Sequence, residues 1–185
     1  SGENFVSKNF SGKDFRFTDF SNSNLMDVDF QDANLVNSNF YNAKLSNVNF
    51  SGANLDSSIF KEAILTNTNF NKASLVSADF QKTILSKVNF EHSDLERSLF
   101  DNAELEATKF MHANLMRAGF ESSNLTFVDL ENTNLVYANF DNAILKNANF
   151  NGAKLWKTKL NNADLENSSF VGTDNFYSEF RKSNL

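Results

Sequence analysis

Every fifth residue of this chain is Phe or Leu. Of the 37 positions whose number is divisible by five, 36 carry one or the other, and the exception is Asn175. A second column lies two residues earlier. From Ser23 to Ser183 it holds only Ala, Ser, Thr or Val. Apolar side chains at i and i−2 share a face only in extended backbone, where successive side chains alternate. A period of five does not fit an α-helix of about 3.6 residues per turn. Each unit is therefore a short extended piece followed by a turn, and the Asn, Asp, Ser and Gly that fill the other positions suit turn geometry. A piece this short cannot bury its apolar side alone. It does so by winding into a solenoid whose coils stack around one shared core.

The alternation of Phe and Leu sets the number of units per coil. From Phe20 onward, Phe falls mainly on multiples of ten and Leu on the fives between. Four units per coil then place Phe on two opposite walls and Leu on the other two. Each layer holds the same volume, as a close-packed interior requires. Leu130 and Leu160 stand in Phe columns, while Phe5 and Phe15 stand in Leu columns, so the first layer carries four Phe.

The unit of small residue, Asn or Asp, Leu or Phe, and two polar residues resembles the pentapeptide repeat. It reads Ala33-Asn34-Leu35-Val36-Asn37, and recurs at Ala53-Asn54-Leu55, Ala113-Asn114-Leu115 and Ala163-Asp164-Leu165. The resemblance covers essentially the whole chain. It implies an all-β fold, a right-handed quadrilateral parallel β-helix of about nine coils of four pentapeptides. With a strand spacing of about 4.8 Å the rod is roughly 43 Å long. One domain is expected over 1–185. The register is expected to falter at Asp174-Asn175-Phe176-Tyr177, either through a bulge or through an irregular C-terminal cap over 174–185.

Composition excludes several kinds of chemistry. With no Cys there is neither a disulfide framework nor a thiolate nucleophile. No phosphate-binding Gly loop or nucleophile signature is present, so the chain is expected to be no enzyme and to need no cofactor. No apolar run approaches the roughly 18 residues of a membrane-spanning helix. No targeting segment is legible, which favours the cytoplasm. The net charge of −6 gives no basic footprint for nucleic acid. His92 and His112, the two histidines, are 20 residues apart and so stack on adjacent coils, about 5 Å apart. They are weak metal candidates, because a metal site needs further ligands at fixed spacing.

The outward positions carry the functional reading. On the wall centred on residue 15, the column after the core residue ends Met116, Val136, Trp156, Phe176, and the next column ends Arg117, Tyr137, Lys157, Tyr177. Aromatic residues, Met and Arg are the types enriched at protein interfaces. This strip is the expected contact with a protein partner. The competing reading is stacking of like side chains that stabilises the wall. Ile59, Ile64 and Ile84, where Asn or Asp is usual, read as β-branched pairs between coils. The family resemblance adds two expectations: dimerisation through the C-terminal end, and, as the alternative function, a DNA mimic that binds gyrase and protects it from quinolones. The charge pattern supports that alternative weakly, since the four walls carry −3, −2, +1 and −2 and none is a continuous acidic stripe.

Overall fold

The computed structural model describes residues 1–185 and contains strands, bridges and turns but no helix. Five strands, β1 (Asn4–Val6), β2 (Asn24–Met26), β3 (Lys44–Ser46), β4 (Ile64–Thr66) and β5 (Ile84–Ser86), form one parallel sheet in chain order. Each pairs with the next at an offset of 20 residues, as in Leu25↔Leu45 and Ile64↔Ile84. Bridges with the same offset continue this wall from Ile84↔Glu104 to Asp164↔Asn184 and build the other three, as in Asn9↔Asp29, Asp14↔Asn34 and Asp19↔Asn39. Nine steps of 20 residues carry Asn4 to Asn184. The chain is a four-sided parallel β-solenoid.

The rungs between coils come from three residues of the repeating unit. The core residue donates its N–H to the next coil (Phe30 N–H to Asn49 C=O, 2.7 Å), and the Asn or Asp before it donates to the coil below (Asn49 N–H to Val28 C=O, 3.0 Å). The second residue after it also donates upward (Asp32 N–H to Ser51 C=O, 3.0 Å). That second residue has positive φ in every unit, at 32 non-glycine and five glycine positions. It turns the chain through the corner, and the left-handed region it occupies is most readily entered by Gly, Asn and Asp.

The Asn or Asp before the core residue serves two further bonds. Its Oδ1 accepts the N–H two residues on, as Asn49 does from Ser51 at 3.1 Å. Its amide also donates to the coil below, giving ladders such as Asn49 to Asp29 (2.9 Å) and Asn134 to Asn114 (2.9 Å). The composition of this column follows from that geometry. Only a short side chain with a carbonyl-type oxygen reaches its own turn.

Inside, 48 apolar residues from Phe20 to Leu165 form one continuous core. Phe rings on one wall stack nearly parallel, as in Phe60–Phe80 at 4.8 Å and 3°. Rings on the facing wall meet them edge-on, as in Phe80–Phe90 at 5.5 Å and 86°. Both arrangements suit the aromatic quadrupole, and such pairs contribute about 0.5–1.5 kcal/mol beyond their buried area. Several inward Ser and Thr turn their hydroxyls onto the core carbonyl three residues earlier, as Ser93 does to Phe90 at 2.6 Å and Thr133 to Leu130 at 2.6 Å, whereas the hydroxyls of Ser38, Ser58 and Thr108 are buried without a partner. In the first layer Phe5, Phe10, Phe15 and Phe20 close a ring of edge-on contacts at 5.0–6.0 Å.

The expected break at 174–177 is not seen. Asp174 bridges Lys154, and Phe176 C=O accepts the Lys157 N–H at 3.0 Å, in the ordinary register. Neither a bulge nor an irregular coil is present there. Asn175 simply occupies the core slot of the last complete layer, where it is exposed. A polar residue is tolerated at that slot because its side chain keeps contact with solvent.

Candidate protein-interaction surface

The corner after Leu115, Leu135, Leu155 and Asn175 carries the strip expected from the sequence. The residue directly after the core position leaves the wall, and the next one has positive φ, so both side chains point outward on every coil. A spacing of 20 residues brings like positions into contact along the rod. Arg117 and Lys157 both lie over the ring of Tyr137, at 5.7 and 5.2 Å from its centroid, and Lys157 Nζ donates to the Tyr137 hydroxyl at 3.2 Å. Trp156 lies 6.1 Å from Phe176, and Phe176 meets Tyr177 edge-on at 4.6 Å.

Burial grades along this strip. Met116 and Val136 are half-buried, Tyr137 and Trp156 are 47% and 49% exposed, and Phe176 and Tyr177 are 58% and 72% exposed. Thus four aromatic rings stand in solvent on adjacent coils, in contact with one another or with a cation. Cation–π pairs at exposed sites contribute about 0.5–1 kcal/mol each.

Two depressions flank the strip. One of about 610 Å³ is lined by Tyr137, Lys157, Lys159, Tyr177 and Glu179, and one of about 310 Å³ by Val136, Lys154, Trp156 and Asp174. Lys154, Lys159 and Glu179 were not singled out from the sequence, and Asp174 was named only for the expected break in register. They sit one residue before a core position, on the walls that meet at this corner, and Lys154↔Asp174 and Lys159↔Glu179 are bridged pairs. The signal was available: Lys154, Lys159 and Glu179 stand where Asn or Asp is usual. Phe127, 57% exposed on another corner, was also passed over, although it is a Phe outside the five-residue register.

His92 and His112 are brought together as expected, with parallel rings 5.0 Å apart. No third His, Cys, Asp or Glu joins them in a group able to hold a metal ion. The pair is a stacked surface contact at two positive-φ positions. Ile64 and Ile84 pair directly between β4 and β5, and Ile59 bridges Asp79.

With this geometry in place, comparison with known proteins decides the family. The model of the pentapeptide repeat region matches residues 53–126 and 93–170, and that of pentapeptide repeats in eight copies matches residues 23–61. The chain belongs to the pentapeptide-repeat family. Among solved structures it is similar to HetL from the cyanobacterium Nostoc sp. strain PCC 7120, a pentapeptide repeat protein involved in heterocyst differentiation regulation. That match has 19% identity over 95% of this chain and 86% of the other, with a TM-score of 0.53. It is also similar to a trypsin-treated variant of QnrB1, a plasmid-mediated fluoroquinolone resistance protein, at 14% identity over 98% and 91% of the two chains and a TM-score of 0.56. At these identities the likeness concerns the fold alone. No curated protein sequence matches the chain at a significant level.

Proposed function

We propose that this pentapeptide-repeat chain is a non-enzymatic interaction module whose C-terminal corner binds a protein partner. The observation that carries this reading is the contiguous strip Tyr137, Trp156, Phe176 and Tyr177, about half exposed or more, with Arg117 and Lys157 seated on Tyr137. Isolated exposed apolar side chains need no explanation, but a contiguous aromatic patch does. Trp, Tyr and Arg are the residues that dominate binding energy where interfaces have been dissected. The rod supplies rigidity, so the rings are presented with little ordering cost. A second copy of the chain is among the partners that an exposed aromatic surface fits.

The test is the Tyr137→Ala/Trp156→Ala double variant. It is expected to keep the melting temperature within a few degrees, because neither side chain enters the core, and to lose association by at least about a hundredfold, the size of loss seen when two interface anchors are removed. Sedimentation velocity reads self-association, and affinity capture with quantitative comparison against the parent chain reads other partners. Unchanged association overturns the reading.

The alternative reading is a DNA mimic acting on a topoisomerase. What supports it is an acidic run on consecutive coils, Asp101, Glu121 and Asp141. The run is short, for the same column continues as Asn161 and Arg181. Two of its carboxylates are turned onto the wall, Asp101 accepting the Glu121 N–H at 2.9 Å and Asp141 the Asn161 N–H at 2.8 Å. A gyrase supercoiling assay with a quinolone separates the readings: protection favours the mimic, and no effect favours the aromatic strip.

A further inference from the structure

One corner of the solenoid changes its hydrogen bonding part-way along the rod. At the other three corners, every unit closes its own turn with a bond such as Ala33 N–H to Phe30 C=O, 3.0 Å. At the fourth, the turns after Phe5, Leu25, Leu45, Leu65 and Leu85 lack this bond, and the chain extends into β1–β5, whose pairing carries eight backbone bonds. From Leu105 on the same corner is closed: Thr108 N–H donates to Leu105 C=O at 3.0 Å, Val128 to Leu125 at 3.1 Å and Ala148 to Leu145 at 3.1 Å.

Where the open and closed forms meet, rungs are missing. Asp27, Asn47 and Asn67 donate to the next coil at 2.9–3.0 Å, but the equivalent Lys87 N–H makes no hydrogen bond to Glu106 C=O, and the Glu106 N–H makes none either. Lys109 N–H reaches Val88 C=O at 3.3 Å, where Asn49, Asn69 and Asn89 make the corresponding bond at 3.0 Å. The Thr108 hydroxyl is buried without a partner. A cavity of about 360 Å³ opens at the seam, lined chiefly by Ile84, Leu85, Lys87, Glu104, Glu106 and Ala107.

We infer that the corner at 105–108 is a two-state element that exchanges its closed form for the open one, moving the seam by one coil. The bond count is even. The open form gives Glu106 N–H to Leu85 C=O and Lys87 N–H to Glu106 C=O. It gives up Thr108 N–H to Leu105 C=O and Ala107 N–H to Thr126 C=O, now 3.0 and 2.9 Å. Two bonds replace two, so the backbone does not choose between the forms and side chains do.

Those side chains confine the switch to this corner. One coil up, Asn124 Oδ1 accepts both the N–H and the hydroxyl of Thr126, at 3.2 and 2.8 Å, and pins the closed form. At residue 104 the equivalent position is Glu, whose carboxylate accepts from Asn124 Nδ2 at 2.9 Å and leaves the Glu106 N–H alone. One coil down, Ile64 and Ile84 pair directly, and β-branched side chains hold the extended form.

Backbone ¹⁵N relaxation dispersion and amide exchange on the full chain test this. Microsecond-to-millisecond broadening is expected at 85–88 and 104–108 and not at 45–48 or 125–128, with Lys87 exchanging at least about tenfold faster than Asn67. Glu104→Asn supplies the missing acceptor for the Glu106 N–H and is expected to abolish the broadening in the closed form. Glu104→Ile is expected to favour the open form and to protect Lys87 as well as Asn67. A single sharp set of resonances at 104–108 in the parent chain overturns the inference. So does Lys87 protection that neither variant changes.

Discussion

The ring of Phe70 meets the ring of Phe60 edge-on, with centroids 5.6 Å apart and planes at 90°. Phe70 also stacks on Phe50 and Phe90 at 4.9 and 4.8 Å. Each ring is thus held by its own column and by the facing one. Phe70→Ala removes these contacts, together with the edge-on one to Phe80 at 5.9 Å, inside a core that cannot collapse locally, because the coils above and below fix the walls. A loss of about 3–5 kcal/mol in denaturant unfolding is expected. Phe70→Leu is expected to cost about 1.5 kcal/mol or less, as a shape change with little lost volume. Leu130 and Leu160 already occupy such slots, fully buried.

Ala73 is 1% exposed and faces the same layer. Ala73→Leu adds three carbons where the two Phe columns leave no space, and about 1–3 kcal/mol of destabilisation is expected. Thermal unfolding reads it. Parent-like stability would show that this column does not point inward.

The corners make opposite demands on Gly152 and Ala107. Gly152 has φ +68°, and a Cβ there would fall onto Oδ1 of Asn132. Gly152→Ala is therefore expected to destabilise by more than about 1 kcal/mol. Ala107 has φ 56° and carries a Cβ through the same left-handed region. Ala107→Gly is expected to stabilise by roughly 0.5–1 kcal/mol, the left-handed cost less the entropy of Gly. Equilibrium unfolding of the two variants side by side checks both signs.

Lys146 bridges Asp164 at 3.1 Å and Glu166 at 2.8 Å. Burial pushes the Asp164 carboxyl up, but Lys146, the Glu166 N–H and the Asn184 amide together hold it below the usual carboxylate range. Hydrogen bonds to Glu166 and Asp164 hold Lys146 above its ordinary value. A depressed acid contributes stability above its unfolded pKa and loses it as pH falls through the folded one. A raised Lys contributes below its unfolded pKa and loses it as pH rises through the folded one. The cluster is therefore expected to act between the two ranges and to fade at both extremes. In Lys146→Met the Asp164 carboxyl is expected to titrate higher by NMR, and an unchanged titration would remove Lys146 as the cause.

How much of this was legible in the sequence follows from what each residue does. Phe70 and Ala73 announce themselves, because an inward side chain must repeat with the coil. The Asn column was legible as a turn former but not as a ladder: Asn134 donating to Asn114 depends on the 20-residue offset brought into register by all four walls. Asn175 misled, since a broken pattern at a core slot looks like a broken coil. Backbone rungs set the register there, and they do not depend on the side chain. The strip from Met116 to Tyr177 was legible as a column. The seating of Arg117 and Lys157 on one ring was not, because it depends on which rotamers the corner permits. The seam at Lys87 and Glu106 was not legible, although Ile84 and Glu104 depart from the Asn and Asp column beside it, because it arises from backbone bonds that fail to form.

Site-specific photo-crosslinking in the cell of origin tests the central claim most directly. A photoreactive phenylalanine analogue is placed at Tyr137 or Tyr177, and at Asn37 or Ser57 in the same column nearer the first coil. The interaction-surface account predicts one discrete adduct from 137 and 177, competed by the untagged parent chain and absent from 37 and 57. No adduct, or the same adducts from all four positions, would contradict it.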